Sequence, residues 1–319
     1  MINILIITQI KDVEGLYDKF KTLGKIKYIP NPSKTKLTKI IKNYEVIFTN
    51  PNNTSVFLGR EILSRANKLK IICTASTGTV HIDSTYTRQN KIKIISLKKE
   101  IPVLNKISST AELAFLLTLS HVRNFIPSVN SVIKGKWDYY EYIGNQLSSR
   151  KIGVLGYGRL GKKYVKYCSS FDSQIFVYDP YKKNKIKNIN KYNNIKEFLQ
   201  TIDILSIHIH AENNYNFINK NLFKYMKKDI IIINTSRGEV INEKDLFNFL
   251  KKNKKAKYAT DVLSDESNYK KNIIFQNRNI DIISDQLIIT PHIGGMTTEG
   301  KDIAYNHSFN LLKKYFKKN

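Results

Sequence analysis

Two cysteines in 319 residues, Cys73 and Cys168, cannot build a disulfide framework, and neither lies in a C-x-x-C pair or near a histidine at ligand spacing. This excludes a disulfide-stapled scaffold and a structural zinc, leaves no metal site to expect, and points to a reducing compartment. No uncharged apolar run approaches the ~20 residues of a bilayer-spanning helix. The opening MINILIITQI has neither a basic n-region nor a small-residue cleavage site. It reads as a strand, and the chain as a cytoplasmic protein with no membrane partner. Acidic residues are few: 26 Asp and Glu face 53 Lys and Arg, for a formal net charge of +27. Arginine is scarcer still, at 8 against 45 Lys. Nucleic-acid readers use Arg for bidentate contacts, whereas these lysines are spread over the whole chain. They accompany 33 Asn and abundant Ile and Tyr, a set that shares adenine- and thymine-rich codons. Base-composition drift accounts for the charge, so nucleic acid is not expected as a partner. A basic field still steers anionic small molecules inward.

What is present is an apolar fraction of 41%, enough for a sizeable core, arranged in two alternating blocks. Ile-rich runs at 3–8, 25–29, 45–49, 70–74 and 92–97 suit strands buried on both faces of a parallel sheet. Helices are expected at 34–43, 59–67 and 108–124, the last opened by Ser109-x-x-Glu112 as a capping box. In the second block, strands are expected at 151–155, 174–178, 203–208, 229–234, 257–261 and 287–290. Helices fall at 159–170, 219–226, 243–252 and 297–316, the last with Ile303, Leu311, Leu312 and Phe316 on its apolar side. The polar stretch 182–194 reads as a solvated loop and a helix start. Strands and helices alternating in this way indicate a doubly wound α/β fold.

The strand at 151–155 runs directly into Gly156-Tyr157-Gly158-Arg159-Leu160-Gly161, a G-x-G-x-x-G between strand and helix. The first glycine allows a tight turn, the second lets backbone approach a pyrophosphate, and the third packs helix on strand. The amides of Arg159 and Leu160 then meet the phosphates at the helix's positive end. The next strand ends at Asp179-Pro180, 23 residues after Gly156, where a carboxylate accepts ribose hydroxyls. Such a carboxylate repels a 2′-phosphate and favours NAD over NADP, although Lys182 and Lys183 nearby weaken that preference. The competing reading of Asp179 is a capped turn.

Three later strands end at chemistry-bearing residues: Thr235-Ser236-Arg237-Gly238, then Asp261 followed by Glu266, then Pro291-His292-Ile293-Gly294-Gly295. Ligands of doubly wound sheets bind beyond the carboxyl ends of the strands. An Arg fork grips a substrate carboxylate. A His exchanges a proton with a carbonyl oxygen near working pH, and a neighbouring carboxylate orients the ring and favours imidazolium. Taken singly, His292 could be a cap, Arg237 a surface ion pair and Glu266 a loop charge; together they describe a site that reduces 2-oxo acids.

At these residues the chain resembles the D-isomer-specific 2-hydroxyacid dehydrogenases. The matches run through Thr77-Gly78, His81-Ile82-Asp83, Thr110-Ala111-Glu112, Gly135–Asp138, Gly156–Gly161, Asn234–Gly238, Asp261-Val262 and Pro291–Gly295. The resemblance implies two doubly wound parallel-sheet domains, one flavodoxin-like and one Rossmann, with a cleft between them. Residues 1–103 with 293–319 would form the substrate domain, and 104–292 the NAD-binding domain and the surface of a homodimer. It implies Arg237 as the carboxylate- and carbonyl-binding arginine, His292 as acid and base, and Glu266 as its partner. Asp261 would hold the nicotinamide carboxamide, with His208, Thr235, Ser236 and Gly294 also at the cofactor. A 2-hydroxy or 2-oxo acid, in one version phosphoglycerate-like, would place its carboxylate on the amides of Thr77, Gly78 and Thr79. Some positions depart from the family pattern: Ser267 replaces a proline, Asp265 offers a rival to Glu266, Val80 replaces a polar residue, and His210 replaces a proline. The other reading, from a different class, is an NAD-responsive regulatory protein of the same fold, akin to corepressors.

Overall fold

The Ile-rich runs become strands in the computed structural model, which describes residues 1–51, 56–182 and 189–318. Five of them are β1 (Ile2–Ile6), β2 (Gly24–Tyr28), β3 (Val46–Thr49), β4 (Ile71–Thr74) and β5 (Lys93–Ile95). They form one parallel sheet in the order β2-β1-β3-β4-β5, the flavodoxin-like winding. In β1, Ile4 and Ile6 pack into one cluster while Leu5, with Ile7 just beyond it, packs into another. Both faces of the sheet are therefore covered, which is why the sequence shows runs rather than polar alternation.

The second sheet holds β6 (Lys151–Leu155), β7 (Gln174–Tyr178), β8 (Asn190–Tyr192), β9 (Ile204–Ile207), β10 (Ile231–Asn234), β11 (Lys257–Thr260) and β12 (Leu287–Ile289). Its order, β12-β11-β10-β9-β6-β7-β8, is parallel throughout. This is the Rossmann winding, with its order reversing between β6 and β9. The expected fold class, two doubly wound parallel sheets, is what the chain forms. By internal contacts it divides into Met1–Ile107 with Gly295–Asn319, and Ser108–Gly294.

Helix Thr298–Lys318 belongs to the first unit. Tyr305, Phe309 and Leu312 are buried there; Phe309 stacks edge-on against Phe20, and the Tyr305 hydroxyl shares a hydrogen bond with Thr8 Oγ1 at 3.0 Å. The buried face thus runs through Ala304, Tyr305, Ser308, Phe309 and Leu312. Ile303, expected on that face, is only half-buried.

Two local expectations are corrected. Helix Ser109–Val122 begins one residue earlier than the capping box requires: Ser108 is the N-cap and Ser109 lies inside. The Ser108 hydroxyl donates to Glu112 Oε1, so a side-chain pair replaces the expected bond to a backbone amide. The stretch 182–194 contains β8, which extends the sheet edge, and the next helix starts only at Ile195. Residues 183–188, with Lys183, lie outside the described residues.

Candidate functional site

The glycine loop sits at the point where the strand order of the second sheet reverses. Gly156 follows β6 at φ +91°, a conformation that L side chains rarely adopt, and a Cβ there would fall 2.7 Å from the carbonyl oxygen of His208 after β9. Gly161 lies so close to the loop that a Cβ would meet Gly156 O at 2.1 Å. Gly158 instead faces open space, with nothing within 4 Å of its Cβ position. It is the N-cap of helix Arg159–Ser169 and, being glycine, offers no side chain to cap it. A helix N-terminus entered through a glycine with room in front of it suits a phosphate.

Asp179 closes the loop from the neighbouring strand. Its Oδ2 accepts from Tyr157 N at 2.8 Å and its Oδ1 from Tyr181 N at 3.0 Å, across the exposed Pro180. The capped-turn reading is therefore part of the structure. Each carboxylate oxygen keeps a second lone pair, so the turn leaves acceptor capacity for ribose hydroxyls. His208 shares a 2.8 Å hydrogen bond with Ser206 Oγ through Nε2, and its ring lies against Tyr164. Burial pushes its pKa down to about 3, so it stands as a neutral imidazole behind the loop.

Beyond β10 the chain turns on the buried side chain of Asn234. Its Oδ1 accepts from Ser236 N and Ser236 Oγ, and its Nδ2 donates to Arg237 O at 3.0 Å. These bonds fold 234–237 into a loop that presents Thr235 and Arg237. Thr235 is buried, and its Oγ1 has no partner among the described residues. The Arg237 guanidinium is partly exposed and donates to the Ser236 carbonyl at 2.6 Å. Gly238 then lies against the backbone of Leu263 and Ser264, so the loops after β10 and β11 touch main chain to main chain.

Glu266 and His292 meet. Glu266 Oε2 lies 2.6 Å from His292 Nδ1, and its Oε1 accepts from Leu263 N at 3.3 Å. Asp265, the rival carboxylate, adopts φ 51° and accepts from the Asn268 side chain. His292 itself sits at φ 55°, a left-handed conformation that costs a non-glycine residue on the order of 1 kcal/mol. Asp261 holds it there. Its Oδ1 accepts from Thr290 Oγ1 at 2.6 Å and Ile293 N at 2.8 Å, and its Oδ2 from Gly294 N at 2.7 Å. Burial pushes the Asp261 carboxyl above its ordinary range, against these three donors. The anchoring of the histidine turn by Asp261 is a task that sequence reasoning did not assign.

In the first unit, the loop after β4 carries Thr77, Gly78 and Thr79. Ser76 Oγ donates to Gly78 O at 2.7 Å, and Ile82 N to Thr79 O at 3.0 Å, despite Val80 at the turn. The amides of Thr77, Gly78 and Thr79 make no hydrogen bond among the described residues. Asn50, at the end of β3, braces this loop by donating to Ala75 O at 2.9 Å.

The positive-φ glycine, the open N-terminus and the orphaned Thr235 hydroxyl fit a bound dinucleotide, and with the Arg–Glu–His set they define a nucleotide-dependent oxidoreductase fold. The chain belongs to the D-isomer specific 2-hydroxyacid dehydrogenase family, whose NAD binding domain model matches residues 115–294. It is 28% identical over 296 residues to D-3-phosphoglycerate dehydrogenase of Methanocaldococcus jannaschii, covering 92% of this chain and 53% of that one. It is 27% identical to hydroxypyruvate reductase of Thermotoga maritima, covering 89% and 88%. The chain spans about half the length of the curated phosphoglycerate dehydrogenases it matches. A D-lactate dehydrogenase from Aquifex aeolicus, solved with NAD and lactic acid, superposes with a TM-score of 0.82 at 25% identity, covering 99% and 96%. The expected family and its NAD cofactor are thereby established. No helix among the described residues is long and apolar enough to cross a membrane.

Proposed function

We propose that this protein is an NAD-dependent dehydrogenase that interconverts a D-2-hydroxy acid and its 2-oxo acid. The Glu266–His292 pair at 2.6 Å, set after β11 and β12 beside the Arg237 loop, carries the reading. The names of the relatives support it over the regulatory alternative.

Bound NADH supplies the hydride. The residues of the chain do the rest. The amides of Arg159 and Leu160, at the start of their helix, would hold the pyrophosphate, Asp179 the ribose, and Thr235, Ser236, Asp261 and Gly294 would border the nicotinamide end. The Arg237 fork takes the substrate carboxylate. His292, with Nδ1 on Glu266, gives a proton from Nε2 to the carbonyl oxygen in reduction and removes it from the hydroxyl in oxidation. The Glu266 carboxylate orients the His292 ring for this exchange.

The test follows NADH oxidation over glyoxylate, hydroxypyruvate, 3-phosphohydroxypyruvate, pyruvate and 2-oxoglutarate. One acid should be turned over, and His292→Ala should lower kcat by roughly 10²–10⁴-fold with NADH binding intact. Unchanged turnover in that variant refutes the role of His292; silence across the panel refutes the reaction.

A homodimer is proposed on the apolar side chains of the second unit's helix Phe125–Ile133 and the segment after it. Ile133 is 77% and Trp137 88% exposed, with Phe125, Val132, Tyr139, Tyr140 and Ile143 exposed alongside. A patch of this kind marks an interaction surface, and a second copy is the proposed occupant. A monomer in sedimentation would refute it. The two free, buried cysteines support a cytoplasmic location.

A further inference from the structure

Glu243 opens helix Glu243–Lys252, where a first-turn acid ordinarily faces solvent and serves the helix dipole. Here it turns inward. Its Oε1 accepts from Ser264 N at 2.9 Å and its Oε2 from Asn272 Nδ2 at 2.5 Å. Asn272, buried, also donates to Ser264 O at 3.3 Å, so both polar groups of the Ser264 backbone are held. Gly238 backs Leu263 and Ser264 from the other side. Two residues further on, after the left-handed turn at Asp265, Glu266 reaches His292.

A cavity of about 320 Å³, lined among others by Glu243, Ser264, Asp265 and Asn272, opens beside this clamp. On the side away from Gly238, hydrogen bonds rather than tight packing therefore hold the base of the Glu266 loop. Burial pushes the Glu243 carboxyl above its ordinary range; the site bears that desolvation in order to place an acceptor against Ser264 and Asn272.

We infer that Glu243 is a positioning residue for the reaction: its half-buried carboxylate clamps Ser264 and Asn272 so that Glu266 meets His292. The inference rests on the proposed roles of Glu266 and His292. A role confined to helix stability would cost melting temperature and leave the chemical step alone.

The experiment is a double-mutant cycle on the full chain. Glu243→Gln sets an amide donor against the donor of Ser264 or of Asn272. It should lower kcat about tenfold, as a misplaced catalytic group does, with KM for NADH within about twofold. In a Glu266→Gln background the same change should cost less than about twofold, because its route of action is already gone. The ¹⁵N signals of the His292 imidazole should move in Glu243→Gln in the direction they move in Glu266→Gln. Losses that multiply in the double variant, an unchanged kcat, or unmoved His292 signals each overturn the inference. If Glu243→Gln does not fold, Asn272→Ala runs the same cycle from the other end of the clamp. If the wild type turns over no 2-oxo acid, the proposed function fails separately, and the His292 signals still decide whether Glu243 sets the Glu266–His292 pair.

Discussion

Gly238→Ala tests whether the loops after β10 and β11 must touch. A Cβ at this position would lie 2.0 Å from the carbonyl carbon of Leu263, 2.2 Å from Ser264 N and 2.4 Å from Leu263 O. Real Cβ contacts essentially never fall below 3.0 Å, so one loop must retreat by a full ångström, and by more to reach ordinary van der Waals contact. The atoms in the way are main chain, which no rotamer change can move aside. The retreat is shared between the Arg237 loop and the segment leading to Glu266, and it stretches the clamp on Ser264 N. Overpacking of this kind costs about 1–3 kcal/mol of stability, while a displacement of about 1 Å at catalytic groups costs on the order of 10²-fold in rate. The variant should therefore fold, bind NADH, melt a few degrees lower and lose most of kcat. Steady-state kinetics and a thermal melt on the same preparation measure both. A kcat within about twofold of wild type would refute the claim that this close approach sets the geometry.

Acid should destabilise both units through buried neutral histidines. Burial holds the pKa of His81 and His121 at about 4, below the ordinary imidazole value of 6.5. Between those values the unfolded chain binds more protons than the folded one, so stability is complete above 6.5 and falls with pH through that window. By pH 5 the loss is on the order of 2 kcal/mol for each; urea midpoints that do not fall between pH 7.5 and 5 would contradict it. Asp261→Asn replaces one acceptor with a donor facing Ile293 N, Gly294 N or Thr290 Oγ1. It should cost about 1–3 kcal/mol and lower kcat as the left-handed His292 turn relaxes. Melting and kinetics like those of the wild type would remove Asp261 from that task.

The strands were legible because parallel sheets bury both faces: Ile4 and Leu5 go to different clusters, so apolar runs mark β1 without ambiguity. The glycine loop was legible because its backbone needs, a positive φ and two close approaches, select one residue type. Less legible were features in which two polar readings differ by one residue or one contact. Ser108 and Ser109 both fit the start of the helix, and the Ser108–Glu112 bond decides between them. Asp265 and Glu266 both fit a partner for His292, and the backbone turn at Asp265 decides that. The roles of Glu243 and Asp261 in holding loops left no local trace. Each is a polar residue whose partners lie on other segments, and only the folded chain brings those together. β8 was missed because Asn190–Tyr192 is a short edge strand in a lysine- and asparagine-rich stretch.

Helix Thr298–Lys318 has a consequence for how the protein is made. Its side chains Tyr305, Phe309 and Leu312 complete the core of the first sheet, against Phe20 and Phe48 from near the start of the chain. During synthesis, every strand of that sheet has left the ribosome long before the helix that covers it. Ser108–Gly294, by contrast, contains all its own strands and core clusters, with Thr110 Oγ1 donating to Gly294 O at 3.0 Å to tie its entry to its exit. Domains generally fold as units once their chain is complete. Here the segment translated second is the one able to finish first, and the first sheet waits with an apolar face uncovered until the helix arrives.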